Sequence, residues 1–566
     1  MKIRQRKINS SVYSTCIETG YPEIVARIIA GRQDMFDKNI FEFTIDAIQP
    51  ANTMTDVIKA AQRIVKAIFN NETFLLFTDY DVDGCTSMAI LYNTLYEIFH
   101  VRSSNLLKLT GHRTKDGYGL TDTIAQKIIQ LQPDLIITAD AGISDGNRVK
   151  KITGAEIDVI ITDHHLIPKK NFPETAVAVV NPQQDCCQYD SQIAGCGVVW
   201  LLMTAVAQEL KCTNEQKQQL HQMLDFVALG TVADMVSLGS VTNRYFVKKG
   251  LDFMNRKKRD CWQIALNNKV ANTGYLGFQL GPRINASSRM TGHADTAIDF
   301  FLEQNINQAA SIYEELNCLN NKRQQIQTKM FNDANDAFLK DEPAFVYYNK
   351  NNFAGIQGVV ASKISEKFGI PTIMLADIDN SLVSGSGRAG QFLHLQDALQ
   401  TFDEEYPDIL ISYGGHKAAA GVKLHKNNIK TFQNGFYNIV KKQLQGQDIT
   451  PYIKTDGSLR EQISFGTYKQ IEQLSPFGIG FPTPVFFDKM VVTNLRVMGK
   501  IPIHLLMMLD GHKAVFFNAL KNPEDPLPLF EGERIAVTYT LNLNVWQGIK
   551  SLQLIIKSII KSHERV

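Results

Sequence analysis

The sequence predicts an α/β protein with a parallel-sheet domain, a long connecting helix, a second, smaller α/β domain and a C-terminal small β-barrel or sandwich. Three observations predict it. Short apolar runs without alternation recur between residues 73 and 181, the pattern of strands buried on both faces of a parallel sheet. The stretch Ile306–Leu339 contains no Pro or Gly and carries apolar residues at nearly helical spacing. After about residue 450 the chain changes to short strands separated by turns.

Each element follows in order. The first 45 residues are polar with short apolar patches, and they predict a few helices. Strands are expected at Thr73–Thr78, Asp134–Thr138, Ile157–Thr162 and Ala176–Asn181, with helices such as Ser87–Phe99 and Thr121–Gln130 between them. That alternation is doubly wound α/β. Ala309, Tyr313, Leu316, Leu319, Ile326, Met330, Ala334 and Ala337 mark the buried side of the connecting helix. A second α/β segment has strands at Ala344–Tyr348 and Thr372–Ala376 and a helix at Gly358–Phe368. Barrel strands are expected at Phe486–Val492, Ile503–Leu509, Ala514–Asn518, Ile535–Leu541 and Leu552–Ile556. The predicted boundaries are 1–45 for the N-terminal helical segment, 46–304 for the first α/β domain, 305–340 for the connecting helix, 341–448 for the second domain and 449–566 for the C-terminal β-domain. No internal repeat or low-complexity tract interrupts this plan.

Composition narrows the class. At roughly 150 residues per domain, 566 residues suit three or four domains. Hydrophobic residues are 44% and charged residues 20%, which excludes a disordered or fibrous chain. No apolar run approaches the roughly 20 residues of a membrane span. The basic N-terminus lacks the apolar stretch of a signal peptide, so no membrane association and a cytoplasmic location are expected. Eight cysteines without a CxxC pair, two of them the adjacent Cys186 and Cys187, suit reduced thiols. Lys and Arg number 59 and Asp and Glu 57, a net +2. That near-neutral sum does not bear on nucleic-acid binding, which depends on where the charge sits.

The chemistry gathers at strand ends. The first run leads into Asp79-Tyr80-Asp81-Val82-Asp83-Gly84 just before a helix. Three carboxylates at alternate positions repel one another unless a cation neutralises them, and in open α/β sheets ligands bind at the carboxyl ends of strands. A solvated acidic turn or a helix N-cap is the competing account. An EF-hand is not, because no Glu completes its spacing. The next two strands end in Ala139-Asp140-Ala141-Gly142 and Asp163-His164-His165, and Asp234 follows another apolar stretch in ALGTVADMV. Parallel neighbours bring such ends together. Several carboxylates with one or two imidazoles favour Mn²⁺ or Mg²⁺, and there are ligands enough for two ions, the usual device for phosphoester hydrolysis.

Taken together, DYDVDG, TADAG, TDHH and TVADMV resemble the DHH phosphoesterase superfamily. GHRTKDGYGL, LGPRINASSRM, GSGR, GGHKAAAG, LSPFGIGFPTPVF and NVWQGIKSLQL narrow the resemblance to its RecJ-type single-strand-specific DNA exonucleases, from about residue 50 to the end. Ser288, where that family usually has Gly, and Phe481, where it has a GNP triplet, are local departures. The resemblance implies a DHH catalytic domain, a DHH-associated domain at 341–448 and an OB-fold single-strand-binding domain. It implies that Asp81, Asp83, Asp140, His164 and Asp234 hold the metals, Asp140 bridging them. Asp79 and His165 become secondary ligands or contacts to the scissile phosphate, and Asp163 orients the histidines. Arg113, Ser386 and Arg388 form the pocket for the DNA 5′ end, with the GSGR backbone N–H groups contributing. His112, Arg283, Arg289 and His416 contact substrate, with Lys417 beside His416.

Phe477, Phe481 and Trp546 are candidates for base stacking, although each could equally be core, and Arg256–Arg259 suits a solvated loop. The implied activity is 5′→3′ exonucleolysis of single-stranded DNA to mononucleotides in recombination and repair. A monomer is expected, with a single-strand binding protein and a RecQ-type helicase as partners. The alternatives are a DHH phosphodiesterase acting on short oligonucleotides or cyclic dinucleotides and a non-catalytic DNA-binding scaffold. The scaffold has no need of mutually repelling carboxylates.

Overall fold

The computed structural model describes residues 2–339, 342–445, 451–546 and 548–560, with only the backbone of Trp546. The chain forms two compact units. The larger holds Ile48–Val236 and Tyr245–Thr450, and the smaller gathers Met1–Ala47, Ser237–Arg244 and Pro451–Val566. The N-terminal segment is therefore more than a set of helices. It opens with a strand, β1 (Lys2–Gln5), before helices Ser10–Glu18 and Glu23–Ala30. Among the described residues no helix is long and apolar enough to cross a membrane.

The first sheet of the larger unit contains β2 (Phe74–Thr78), β3 (Leu106–Thr110), β4 (Leu135–Ala139), β5 (Asp158–Thr162) and β6 (Ala178–Val180). All pairings are parallel, in the spatial order β3-β2-β4-β5-β6. Every residue of β2 and β4 is buried, which is why their sequences are apolar without alternation. β3 was not anticipated. It is an edge strand with a partly exposed LLKLT sequence, and that pattern is weak by itself.

Register decides what the sheet presents. Thr78 lies opposite Ala139, and Ala139 opposite Thr162, so Asp79, Asp140 and Asp163 leave the sheet side by side. Strand order also reverses between β2 and β4, the kind of switch point where such sheets bind ligands. Helix Val82–Asn93 follows β2 and begins earlier than Ser87, because Asp81 caps it: Asp81 Oδ1 accepts the backbone N–H of Asp83 at 2.8 Å and of Gly84 at 3.2 Å. The N-cap account of the acidic turn is thus true of one carboxylate oxygen of Asp81 and leaves the other available.

The connecting helix runs over Ile306–Ala337, with Asn305 accepting from the N–H groups of Asn307 and Gln308. Its buried side holds the expected Ala309, Leu316, Met330 and Ala334. It also holds three polar residues, Asn320, Arg323 and Gln327. The second domain is a five-stranded sheet of β7 (Phe345–Tyr348), β8 (Thr372–Asp377), β9 (Leu382–Arg388), β10 (Leu410–Gly415) and β11 (Ala419–His425), in the order β10-β11-β9-β8-β7. Only β7 and β8 run parallel. β9 to β11 escape sequence reading because their Gly- and Ala-rich runs look like turns. Gly385 is there for packing, since a Cβ would lie 2.6 Å from both Leu375 Cδ2 and Val422 Cγ2. This corrects the expectation for GSGR, whose backbone is paired with β8 on one side and β11 on the other. Only its side chains remain to bind a ligand.

A second correction concerns Arg256–Arg259. Arg259 is no solvated cation. Its Nε donates to Asp225 Oδ2 at 2.8 Å, and the same oxygen accepts Trp262 Nε1 at 2.8 Å.

In the smaller unit β12 (Tyr452–Thr455) pairs parallel with β1. β13 (Phe486–Met498), β14 (His504–Leu509), β15 (His512–Phe516), β16 (Arg534–Trp546) and β17 (Ile549–Ile560) close a barrel in the order β13-β14-β15-β17-β16. Phe481 is core and not a stacking platform: it is fully buried, with the Arg244 guanidinium 4.5 Å from its ring centre. Phe477 lies parallel to it, half-buried, with ring centres 6.1 Å apart. The Trp546 side chain lies outside the described residues. All eight cysteines are free thiols.

Candidate metal centre and phosphate pocket

The strand-end residues converge. His164 Nε2 stands 3.2 Å from Asp140 Oδ1, 3.7 Å from Asp234 Oδ2 and 3.9 Å from Asp83 Oδ2. Three sets of potential ligand atoms each fit within 4.8 Å: Asp83 with His164 and Asp234, Asp140 with His164 and His165, and Asp79 with Asp81 and Asp140. Asp140 belongs to two of them. It also sits at φ +57°, a left-handed conformation uncommon outside Gly that tends to persist at functional sites. Asp234 comes from the end of helix Leu224–Ala233 rather than from a strand.

The electrostatics suit a cation. Burial first, then the charge of Asp81, raises the Asp79 carboxyl to about 8. Burial and neighbouring carboxylates likewise push Asp140 and Asp234 well above the usual range. Asp83 is raised too, by burial and by Asp81 against the opposing pull of His164. The His164 Nε2 atom is buried without a hydrogen-bond partner, a condition that interiors avoid. Burial lowers the His164 pKa, and its Nε2 faces three carboxyl groups. Such a set of donors fits Mn²⁺ or Mg²⁺.

The two histidines differ. Asp163 Oδ1 accepts His165 Nδ1 at 2.8 Å and the backbone N–H groups of His164 and His165 at 2.7 and 3.1 Å. Burial opposes charge on His165, but the Asp163 bond and the surrounding carboxylates outweigh it and raise the imidazole to about 9. Asp163 is held below the ordinary carboxylate value, because the His165 bond and both imidazoles overcome its burial. Tyr118 was not singled out from the sequence. Its hydroxyl donates to the Asp140 carbonyl at 3.1 Å and lies 2.9 Å from His165 Nδ1.

Backbone completes the centre, and glycines make room for it. Asp83 accepts the N–H of Gly195 at 2.6 Å and of Cys196 at 2.9 Å, at the start of helix Gly195–Glu209. A Cβ on Gly195 would lie 2.8 Å from Asp140 Cβ. On Gly84 it would lie 2.1 Å from the Asp79 carbonyl oxygen, and on Gly230 2.7 Å from Asp83 Oδ1 and 2.5 Å from Cys196 Sγ. Of these glycines only Gly84 stood out in the sequence, because the others are remote from the acidic motifs. Gly230→Ala is accordingly expected to cut Mn²⁺ affinity at least about tenfold by displacing Asp83, a shift of roughly 1.4 kcal/mol. Titration calorimetry of the variant against the wild type checks this, and unchanged affinity would show that Asp83 is not constrained there.

A cationic cluster in the same unit faces the centre. Arg289 is pushed down to about 9 by burial and by the charges of Arg113, Arg323 and Arg388, with Asp81 opposing. The acceptors around these arginines are neutral. Arg289 Nη1 donates to the Gly355 carbonyl at 3.0 Å, Arg388 Nη1 to Ser386 Oγ at 3.2 Å and Arg113 Nη1 to Ser288 Oγ at 3.5 Å. Arg113 also lies over the Tyr80 ring, 4.8 Å from its centre. A Cβ on Gly358 would meet Ser386 Oγ at 2.8 Å and Arg388 Nη2 at 2.9 Å. The departure at Ser288 therefore gives Arg113 a hydroxyl partner.

The other expected contacts are placed differently. His112 organises its own turn, with Nδ1 accepting the N–H groups of Thr114 at 3.3 Å and Lys115 at 3.2 Å. Arg283 is held by Asn317 Oδ1 at 2.9 Å and the Gln279 carbonyl at 2.6 Å. His416 and Lys417 are exposed in the turn between β10 and β11.

Acidic and imidazole donors at the switch point of a parallel sheet, with a second domain behind a long helix, define a phosphoesterase of the DHH class. Residues 73–231 match the DHH family, N-terminal domain; residues 341–442 match the DHHA1 domain; residues 455–558 match the RecJ OB domain. The single-stranded-DNA-specific exonuclease RecJ of Escherichia coli strain K12 is 29% identical over 99% of both chains. That of Bacillus subtilis strain 168 is 30% identical over 89% of this chain and 63% of its own length. The crystal structure of RecJ in complex with Mn²⁺ from Thermus thermophilus superposes with a TM-score of 0.79 at 21% identity, covering 100% of this chain and 79% of that one. The chain belongs to the RecJ family.

Proposed function

We propose that this protein is a metal-dependent 5′→3′ exonuclease that hydrolyses single-stranded DNA to mononucleotides in recombination and repair. The observation that carries the reading is the pairing, within one compact unit, of a carboxylate–imidazole centre with an arginine cluster whose partners are neutral. The first suits cations and the second suits phosphate. Asp81, Asp83, Asp140, His164 and Asp234 would hold Mn²⁺ or Mg²⁺, and Asp140 belongs to two of the three sets of potential ligand atoms. Bound there, the metals supply an activated water and stabilise charge on the scissile phosphate.

The chain's own residues do the rest. Asp163 fixes both histidines, and Tyr118 steadies His165. His165, held by Asp163, contacts the phosphate, while Asp79 borders the centre as a secondary ligand. Polarity needs a site that recognises a strand terminus at a fixed distance from the centre. Arg113, Arg289, Ser386 and Arg388 form it, because a terminal phosphate carries more charge than an internal one and accepts guanidinium bonds. His112, Arg283 and His416 act further out, the first through the turn that carries Arg113. The protein works as a monomer in the cytoplasm, with a single-strand binding protein and a RecQ-type helicase as partners.

Digestion of end-labelled single- and double-stranded DNA with Mn²⁺, with products resolved by size, tests the activity. Mononucleotides released from the 5′ end of single strands are expected, and release from the 3′ end would refute the polarity. Arg388→Ala should narrow the rate difference between 5′-phosphorylated and 5′-hydroxyl strands at least about tenfold, since charge-assisted bonds contribute about 1.5–3 kcal/mol. Full retention of the preference would mean that the pocket is misassigned.

A further inference from the structure

The connecting helix buries a charge that its packing does not need. Arg323 is 8% exposed, midway along Ile306–Ala337. Its Nε donates to Asn320 Oδ1 at 3.1 Å and its Nη1 to Gln327 Oε1 at 2.8 Å. Both partners are neutral, both are buried, and both belong to the same helix. A guanidinium taken out of water without a carboxylate is strongly disfavoured, so this arrangement holds the group in place without neutralising it.

Its surroundings increase the cost. The connecting helix packs against helix Gly281–Thr291, which carries Arg283 and Arg289, and against helix Gln357–Phe368, which carries Lys363. Met290, next to Arg289, packs in one apolar cluster with Met330, two turns beyond Arg323. The charges that Arg323 shares the region with are Arg283, Arg289 and Lys363; Glu366 acts on Lys363 from the same helix. Destabilising arrangements of this kind are kept where activity needs them, a trade of stability for function.

We propose that Arg323 is a specificity-determining residue of the 5′-terminus pocket: a buried cation, on the helix packed against the one that carries Arg289, that a doubly charged terminal phosphate neutralises and a 5′-hydroxyl end does not. This rests on the assignment of Arg113, Arg289, Ser386 and Arg388 to the strand terminus. In a poorly hydrated interior a charge acts over several ångströms, so Arg323 contributes through the field it adds to Arg289 without touching the strand.

The test uses the full chain. Arg323→Gln removes the charge and keeps an amide donor for Asn320 and Gln327, and Arg323→Lys keeps the charge. Two quantities are measured: the kcat/KM ratio for 5′-phosphorylated over 5′-hydroxyl single strands, and melting temperature in chloride and in inorganic phosphate at equal ionic strength. Arg323→Gln should lower the ratio about tenfold, as for one charge-assisted contact, and Arg323→Lys should keep most of it. In chloride Arg323→Gln should melt at or above the wild type, and the stabilisation by phosphate should shrink. A wild type indifferent to the 5′ phosphate overturns the terminus pocket itself. A wild-type preference that Arg323→Gln keeps in full overturns the role of Arg323 alone. A variant that melts lower and loses rate equally on both substrates also overturns it, because that is how a purely structural arginine behaves.

Discussion

Asp140→Asn is expected to abolish hydrolysis and, in the metal-free protein, to raise the melting temperature. Asp140 is buried among Asp79, Asp81, Asp83 and Asp234, all of which push its pKa up after burial has done so. An amide keeps the shape and removes a charge that only a cation makes tolerable. The sign of the pH dependence follows. A carboxyl raised in the folded state is destabilising when ionised, so the penalty is absent at low pH and complete above the folded value. For Asp79 that value is about 8.

Metal-free protein should therefore melt lower as pH rises from about 5 to about 8.5, and added Mn²⁺ should stabilise more at the upper end of that range. Melting curves with and without Mn²⁺, together with initial rates on labelled single strands, check both claims. Measurable turnover by Asp140→Asn in Mn²⁺, or a melting temperature below that of the metal-free wild type, would refute the shared-ligand role.

Removing residues 451–566 is expected to cost chemistry as well as DNA binding. An independent barrel would affect chiefly KM, through stacking worth about 1–3 kcal/mol per base. The chain path argues otherwise. Three residues after Asp234, Ser237–Arg244 becomes part of the smaller unit. There Leu238 N–H donates to the Ile479 carbonyl at 2.7 Å. Arg244 donates to the carbonyls of Ile40 at 2.8 Å, Leu238 at 3.3 Å, Pro476 at 3.0 Å and Leu474 at 2.7 Å.

Truncation strips two of those four acceptors and leaves a buried guanidinium behind. The segment that leads out of Asp234 then loses its anchor. The expected result is a fall in kcat and in Mn²⁺ affinity beside the rise in KM. In the intact chain, Arg244→Ala should cost roughly 3 kcal/mol or more, since charged hydrogen bonds to carbonyls are lost together. Urea unfolding measures the latter. A truncated protein with wild-type kcat and Mn²⁺ affinity would show that the barrel is dispensable to the centre.

How much was legible in advance depended on whether the signal was local. DYDVDG, TADAG and TDHH could be placed at one sheet edge because strand ends are visible as apolar runs stopping at Asp. The orienting role of Asp163 came from the family resemblance, and its bonds to His165 Nδ1 and to both backbone N–H groups agree with it. The glycines at 195 and 230 gave no such sign, since what they make room for lies far away in the chain. GSGR misled for a related reason: a run of Gly and Ser looks like a turn unless the strands on either side are known. Arg259 looked solvated in a run of four cations, and only the fold brings Asp225 beneath it.

The strand-end clustering of acidic and histidine side chains and the long helix could be read in the sequence, because each is written in patterns shorter than a few turns or one strand. Only the fold leaves His164 Nε2 without a hydrogen-bond partner while bonding His165 to Asp163. It also decided that Arg113, Arg289, Arg323 and Arg388 share one region where, among the described residues, their hydrogen-bond acceptors are neutral, and that Ser237–Arg244 folds with the C-terminal barrel. The physical reason is that ionisation, desolvation and the satisfaction of buried donors depend on which groups meet across hundreds of residues, and a local pattern carries no record of that.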